Sequence, residues 1–104
     1  MISYEQNVKT VWKTWKPGFY LEMVGTVFHS VIFDKTESSL RIRLVFEESP
    51  MTQHIININY TWMPGDFNIV LDAIGKRVIA VVAEGTQDHA SYSVTFDDGY
   101  WFRI

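Results

Sequence analysis

The residues of this chain best suited to chemistry are three histidines, two carboxylate doublets and a set of closely spaced aromatics. His29, His54 and His89 lie far apart in sequence. None stands three or four residues from another histidine, the spacing that puts two ligands on one turn of helix. A metal site would have to be assembled in three dimensions with supporting hydrogen bonds, so no metal and no cofactor is expected. The doublets are Glu47-Glu48 and Asp97-Asp98. General acid–base work needs two carboxyls of divergent pKa facing one pocket. Neighbours on a strand point to opposite faces, and both doublets abut turn residues, so solvated turn charge is the plainer reading. No Gly-x-Ser-x-Gly and no phosphate-cradling glycine pattern occurs, and there is no cysteine to act as a nucleophile. No catalytic residue is expected, and the chain reads as a protein that is not an enzyme.

The aromatics carry a different chemistry, that of contact. Tyr100, Trp101 and Phe102 are consecutive. On a strand they cannot share one core. Either both faces of the sheet are covered there, or Trp101 or its two neighbours are exposed. Trp62 raises the same question beside the Met63-Pro64-Gly65-Asp66 turn. Exposed aromatics beside acids suit a protein interface. The candidate partner-binding set is therefore Trp62, Asp66, Asp97, Asp98, Tyr100 and Trp101. The alternative is a small-molecule pocket inside a β-barrel, or an atypical enzyme, built on His29, His54, Tyr60 and Asp72.

The elements that would position these residues follow from hydrophobic periodicity. Tyr4, Val8, Val11, Trp12 and Trp15 gather on one helical face, Ser3 and Gln6 form a capping-box pattern, and Lys16-Pro17-Gly18 stops the run. A helix over about residues 4–16 is predicted, with a lysine stripe of Lys9, Lys13 and Lys16 on its wet side. From residue 19 the pattern is that of strands. Phe19 to Val24 is one run, interrupted at Gly25 and resumed from Thr26 to Phe33. Leu40 to Phe46 alternates, as does Ile55 to Trp62. Phe67 to Ile74 reads as a strand, Arg77 to Glu84 as a central strand apolar on both faces, and Ala90 to Phe96 as an alternating one. Asp97-Asp98-Gly99 is a hairpin signal leading to a last strand, Tyr100 to Ile104. Turns every 8–14 residues imply a mainly β fold, α+β at its margin: an antiparallel sandwich or open barrel of six to eight strands with one N-terminal helix.

Composition bounds the answer from outside. With 104 residues a single domain, 1–104, is expected. A hydrophobic content of 47% is too high for disorder, and the longest uncharged apolar stretch, Val78 to Ala83, is too short for a membrane helix. Net charge is −3, and the second half holds three basic against six acidic residues. Nucleic acid, which needs a concentrated positive field, is not an expected partner, and neither is a membrane. Met1 is followed by Ile-Ser-Tyr-Glu rather than a basic stretch and an apolar run. No secretory signal is expected, and the cytoplasm of a bacterium, or of a host carrying foreign genes, is the expected location.

Phe28-His29-Ser30-Val31-Ile32-Phe33-Asp34, followed after a charged turn by Leu40-Arg41-Ile42-Arg43-Leu44-Val45-Phe46, resembles the opening hairpin of certain small bacterial immunity proteins that accompany polymorphic toxins. Val94 to Tyr100 is compatible with their closing strands. The resemblance covers about a third of the chain, and Ser30 stands where that family often has aspartate. It implies a non-enzymatic antagonist that binds and neutralises a protein target, such as a toxin or, for a phage-encoded inhibitor, a host defence protein. Pairing of exposed strand edges in a homodimer is a further expectation.

Overall fold

The computed structural model describes residues 8–35, 37, 39–60 and 67–104, with the Tyr60 side chain excepted. Among the described residues eight strands form two four-stranded sheets. The first holds β1 (Lys9–Trp12), β3 (Val27–Lys35), β4 (Leu40–Ser49) and β5 (Thr52–Tyr60) in the order β1-β5-β4-β3. The second holds β2 (Gly18–Phe19), β6 (Val78–Gly85), β7 (Ala90–Phe96) and β8 (Trp101–Arg103) in the order β2-β6-β7-β8. A 3-10 turn at Leu21–Met23 and one short helix, α1 (Asn68–Leu71), complete the described elements. The architecture is mainly β and sandwich-like, and the described strands form no closed barrel.

Strand alternation explains how the two sheets share one core. In the first sheet Leu40, Ile42, Leu44 and Phe46 of β4, Ile56 and Ile58 of β5 and Phe28 of β3 face inward. In the second, Val78, Val81 and Ala83 of β6, Tyr92, Val94 and Phe96 of β7 and Phe102 of β8 do the same. Phe28 joins the layers. Its ring centroid lies 5.2 Å from that of Phe46, 6.1 Å from Phe96 and 5.6 Å from Phe102. Tyr20 is buried too, and its hydroxyl accepts the Lys16 backbone N–H at 2.9 Å, which meets the polar need of a phenol in a core.

Three elements differ from the reading of the sequence, each for a local reason. The predicted helix at 4–16 does not form over its described part: Lys9–Trp12 is a strand, and residues 1–7 lie outside the described residues. β1 runs parallel to β5, with Lys9 donating to the Met51 carbonyl at 2.7 Å and Lys13 to that of Ile55 at 2.9 Å. The β5 edge needs backbone partners, and the β-branched Thr10 and Val11 suit a strand beside it, so pairing outweighs the helical spacing. The sheet is therefore not wholly antiparallel. Second, Phe67 to Ile74 is not a strand. Val70 and Ala73 are buried at a helical spacing of three, Asp72 donates to the Asn68 carbonyl at 2.9 Å, and Gly75 at φ 93° ends the turn. The segment read as a strand, but tertiary packing decides otherwise. Third, the run from Phe19 to Val24 is strand only at Gly18–Phe19, after which the 3-10 turn buries Met23. The lysine stripe dissolves with the helix: Lys13 and Lys16 instead both approach Glu22, at 3.5 and 3.7 Å.

The remaining strands stand close to their predicted places. β6 lies inside its sheet between β2 and β7, and the Asp97-Asp98-Gly99 turn joins β7 to β8. One turn tolerates no side chain. Gly85 has φ 90°, and a Cβ there would sit 2.3 Å from the His89 carbonyl oxygen. Gly85→Ala is expected to lower stability by about 1–3 kcal/mol, read as a fall in the urea midpoint. An unchanged midpoint would mean that the β6–β7 turn is built differently.

Candidate protein-interaction face

The outward face of the second sheet is set by the same alternation that fills the core. With Phe96, Val94 and Tyr92 turned inward, Thr95, Ser93 and Ser91 of β7 must face out. Register then builds three cross-strand rows: Ala80, Thr95 and Trp101; Phe19, Val82, Ser93 and Arg103; and Glu84 with Ser91. A bulge between Val78 and Ala80 turns Ile79 outward as well, leaving it exposed. Trp101 is 64% exposed at one margin of this face and Phe19 53% exposed at the other. Arg103 closes a polar corner, donating from Nε to Ser91 Oγ at 2.8 Å and lying 3.5 Å from Glu84.

The face thus has aromatic margins, an apolar shoulder of Ile79, Ala80 and Val82, and hydroxyls along its centre. Large rigid aromatics beside small adaptable hydroxyls are the chemistry of polypeptide recognition surfaces.

The hairpin beside Trp101 is held firmly. Lys76 pairs with the Asp98 carboxylate, and the other Asp98 oxygen accepts the Tyr100 backbone N–H at 2.9 Å. The Lys76 ammonium also lies 5.3 Å from the centre of the Tyr100 ring, and the Tyr100 hydroxyl donates to the Ile69 carbonyl. The β7–β8 turn is in this way tied to α1. The hydrogen bond from Lys76, then that from the Tyr100 backbone, holds the Asp98 carboxyl below its ordinary range, and the same bond to Asp98 raises Lys76. Asp98 therefore contributes stability above the ordinary carboxylate pKa, and that contribution is lost as pH falls through its lowered value. Lys76 contributes below the ordinary lysine pKa and loses its share as pH rises through its raised value. Asp98→Asn is expected to melt below the wild-type protein at neutral pH, with the gap closing in strong acid. A gap independent of pH would show that charge is not what fixes the turn.

Of the six predicted partner-binding residues, the structure thus brings four to one end of one sheet. Trp101 and Asp97 are exposed, Asp98 is engaged with Lys76, and Tyr100 packs partly against the core. Trp62 and Asp66 lie outside the described residues. The Tyr100-Trp101-Phe102 ambiguity resolves by alternation: Phe102 is buried and Trp101 is not. Phe19, Ile79 and Val82 were missed. The Ser91-Ser93-Thr95 alternation marks the outward face, but nothing in sequence says which residues of β2 and β6 stand beside it.

Of the alternative pocket residues, the Tyr60 side chain lies outside the described residues, and His29, His54 and Asp72 stand apart from one another. His29 occupies a bulge in β3, exposed, with Nδ1 3.1 Å from Ser30 Oγ and Nε2 3.6 Å from Glu47. His54 is buried on β5, its Nε2 3.1 Å from Glu48 and its Nδ1 without a partner among the described residues. Asp72 is exposed at the end of α1. A groove of about 660 Å³ does exist, but residues 13–15, 57–59, 87–90 and Tyr92 line it, and His29, His54 and Asp72 do not. Among the described residues no group of three or more His, Asp or Glu side chains is placed to hold a metal ion. No described helix is long and apolar enough to cross a membrane.

The fold and this face define a two-sheet β-sandwich with one open, aromatic-edged sheet surface. Compared with protein-family models, curated proteins and solved structures, the chain matches none.

Proposed function

We propose that this chain is a non-enzymatic protein-binding domain that acts by covering a polypeptide target with the outer face of its second sheet. The observation that carries the reading is Trp101, a tryptophan 64% exposed on a rigidly anchored strand, in register with Thr95 and Ala80 on an uncovered sheet. Tryptophans in such positions dominate the energy of interfaces. The acidic residues nearby, Asp97 and Glu84, supply a polar rim. Neutralisation of a toxin or of a defence protein is the narrower form of this proposal, resting on the resemblance of the Phe28–Phe46 hairpin to immunity proteins, and a cytoplasmic setting goes with it.

The test uses immobilised protein and extract of the cells that encode it. Thr95→Arg places a long charged side chain in the middle of the face without touching the core. The expected result is a polypeptide held in stoichiometric amount by the wild-type protein and not by Thr95→Arg. Identical retention by both would refute this face as the binding surface.

A further inference from the structure

The 660 Å³ groove holds an open strand edge. β1 pairs with β5 only from Thr52 to Ile55. Its last bond runs from the Lys13 N–H to the Ile55 carbonyl, after which the chain is no longer strand and Thr14 and Trp15 line the groove. Because strand backbone groups alternate in direction, the N–H and C=O of Asn57 and Asn59 point to the same side as those of Ile55. On that side no described strand pairs with them. Among the described residues the edge therefore continues into the groove without a partner. Trp15 forms part of the groove wall, and its buried indole N–H has no acceptor among the described residues.

The groove lining itself carries one charge of each sign, Lys13 and Asp88, and the cations that tip the balance stand on β4, across β5 from the groove. Arg43 is in register with Asn57 and Arg41 with Asn59, and both pairs face out from the first sheet. Neither arginine makes an ion pair with a described acid. Arg43 lies 5.7 Å from the centre of the Trp12 ring, which is 53% exposed, and its buried Nε lacks an acceptor among the described residues. Arg43 thus reaches over β5 toward the β1 side, and Arg41 stands in register with the next carboxamide, so carboxylates are the groups these guanidiniums would attract.

We propose that this groove receives an extended, carboxylate-bearing polypeptide segment that pairs with the β5 edge at Asn57 and Asn59. Backbone pairing continues the ladder that β1 leaves unfinished. Alternate side chains of the segment meet Arg41 and Arg43 on one face and the Trp15 and Tyr92 side of the groove on the other, the general logic of strand addition. An open edge of repeating donors and acceptors selects a polypeptide over a compact metabolite. Two arginines in a chain of net charge −3 select one or two carboxylates over the long phosphate track of a nucleic acid. This surface is independent of the Trp101 face, and either can fail alone.

The probe is the capped peptide Ac-(Glu-Val)3-amide, added to the isotope-labelled full chain and followed by NMR. Ac-(Lys-Val)3-amide and a thymidine hexanucleotide serve as comparisons. The expected result is movement of the Asn57 and Asn59 amide signals and slowed exchange of both amides with the glutamate peptide. Arg41→Glu should weaken that binding about tenfold, and Trp101→Ala should leave it unchanged. Absence of any effect at Asn57 and Asn59 overturns the proposal, as does equal binding of the lysine peptide or tighter binding of the hexanucleotide.

Discussion

Phe28→Ala is expected to destabilise this protein by about 3–5 kcal/mol, the range for removing a fully buried aromatic ring from a core. The reason is position. Phe28 comes from the first sheet and touches Phe46 of its own sheet and Phe96 and Phe102 of the other. All four rings are buried. Removing the ring opens a cavity between the layers, and two sheets held by their own backbone ladders cannot easily close on it. A domain of ordinary stability, about 5–15 kcal/mol, would keep only part of it. Urea unfolding followed by tryptophan fluorescence measures the loss. Phe28→Leu, which leaves a smaller void, should fall between the two. A loss below about 1 kcal/mol for Phe28→Ala would contradict a core shared by both sheets.

Trp101→Ala is expected to do the reverse: little to stability and much to binding. The side chain is mostly in water, so its removal should change unfolding by no more than about 0.5 kcal/mol. If it anchors the interface, truncation should cost about 2 kcal/mol or more of partner affinity, roughly a thirtyfold rise in Kd. Titration calorimetry on the recovered partner reads the second quantity, and urea unfolding the first. A variant that loses stability as well as affinity would place Trp101 in the fold rather than at the interface.

How far residues announce this architecture varies along the chain. The alternating segments were legible because one face is dry and one wet. Leu40 to Phe46 and Ala90 to Phe96 match β4 and β7 closely. So was the β7–β8 turn, where Gly99 takes φ 89°. The elements that failed are those whose state depends on a distant partner. Lys9–Trp12 is a strand because β5 offers an edge more than 40 residues away in the chain. Asn68–Leu71 is helical because Val70 and Ala73 find a core surface at that period. The candidate face was half legible for a related reason. Trp101 stood out by its neighbours, but Phe19, Ile79 and Val82 join it only through cross-strand register and the β6 bulge, and no local pattern encodes these.

The groove shows the same divide. Arg41 and Arg43 read simply as the wet side of a strand until β5 sets Asn59 and Asn57 beside them. The open edge is visible only once β1 is known to stop pairing at Ile55. Both surfaces are therefore products of topology acting on residues that look ordinary one at a time.

The claim that this molecule works by laying the Trp101 sheet against another polypeptide is tested most directly by photo-crosslinking in the native cells. A photoreactive phenylalanine analogue at position 101 should join the protein to one predominant partner chain, while the same group at Met51, exposed on the β4–β5 turn, should not. No adduct from position 101, or the same adducts from both positions, would contradict it.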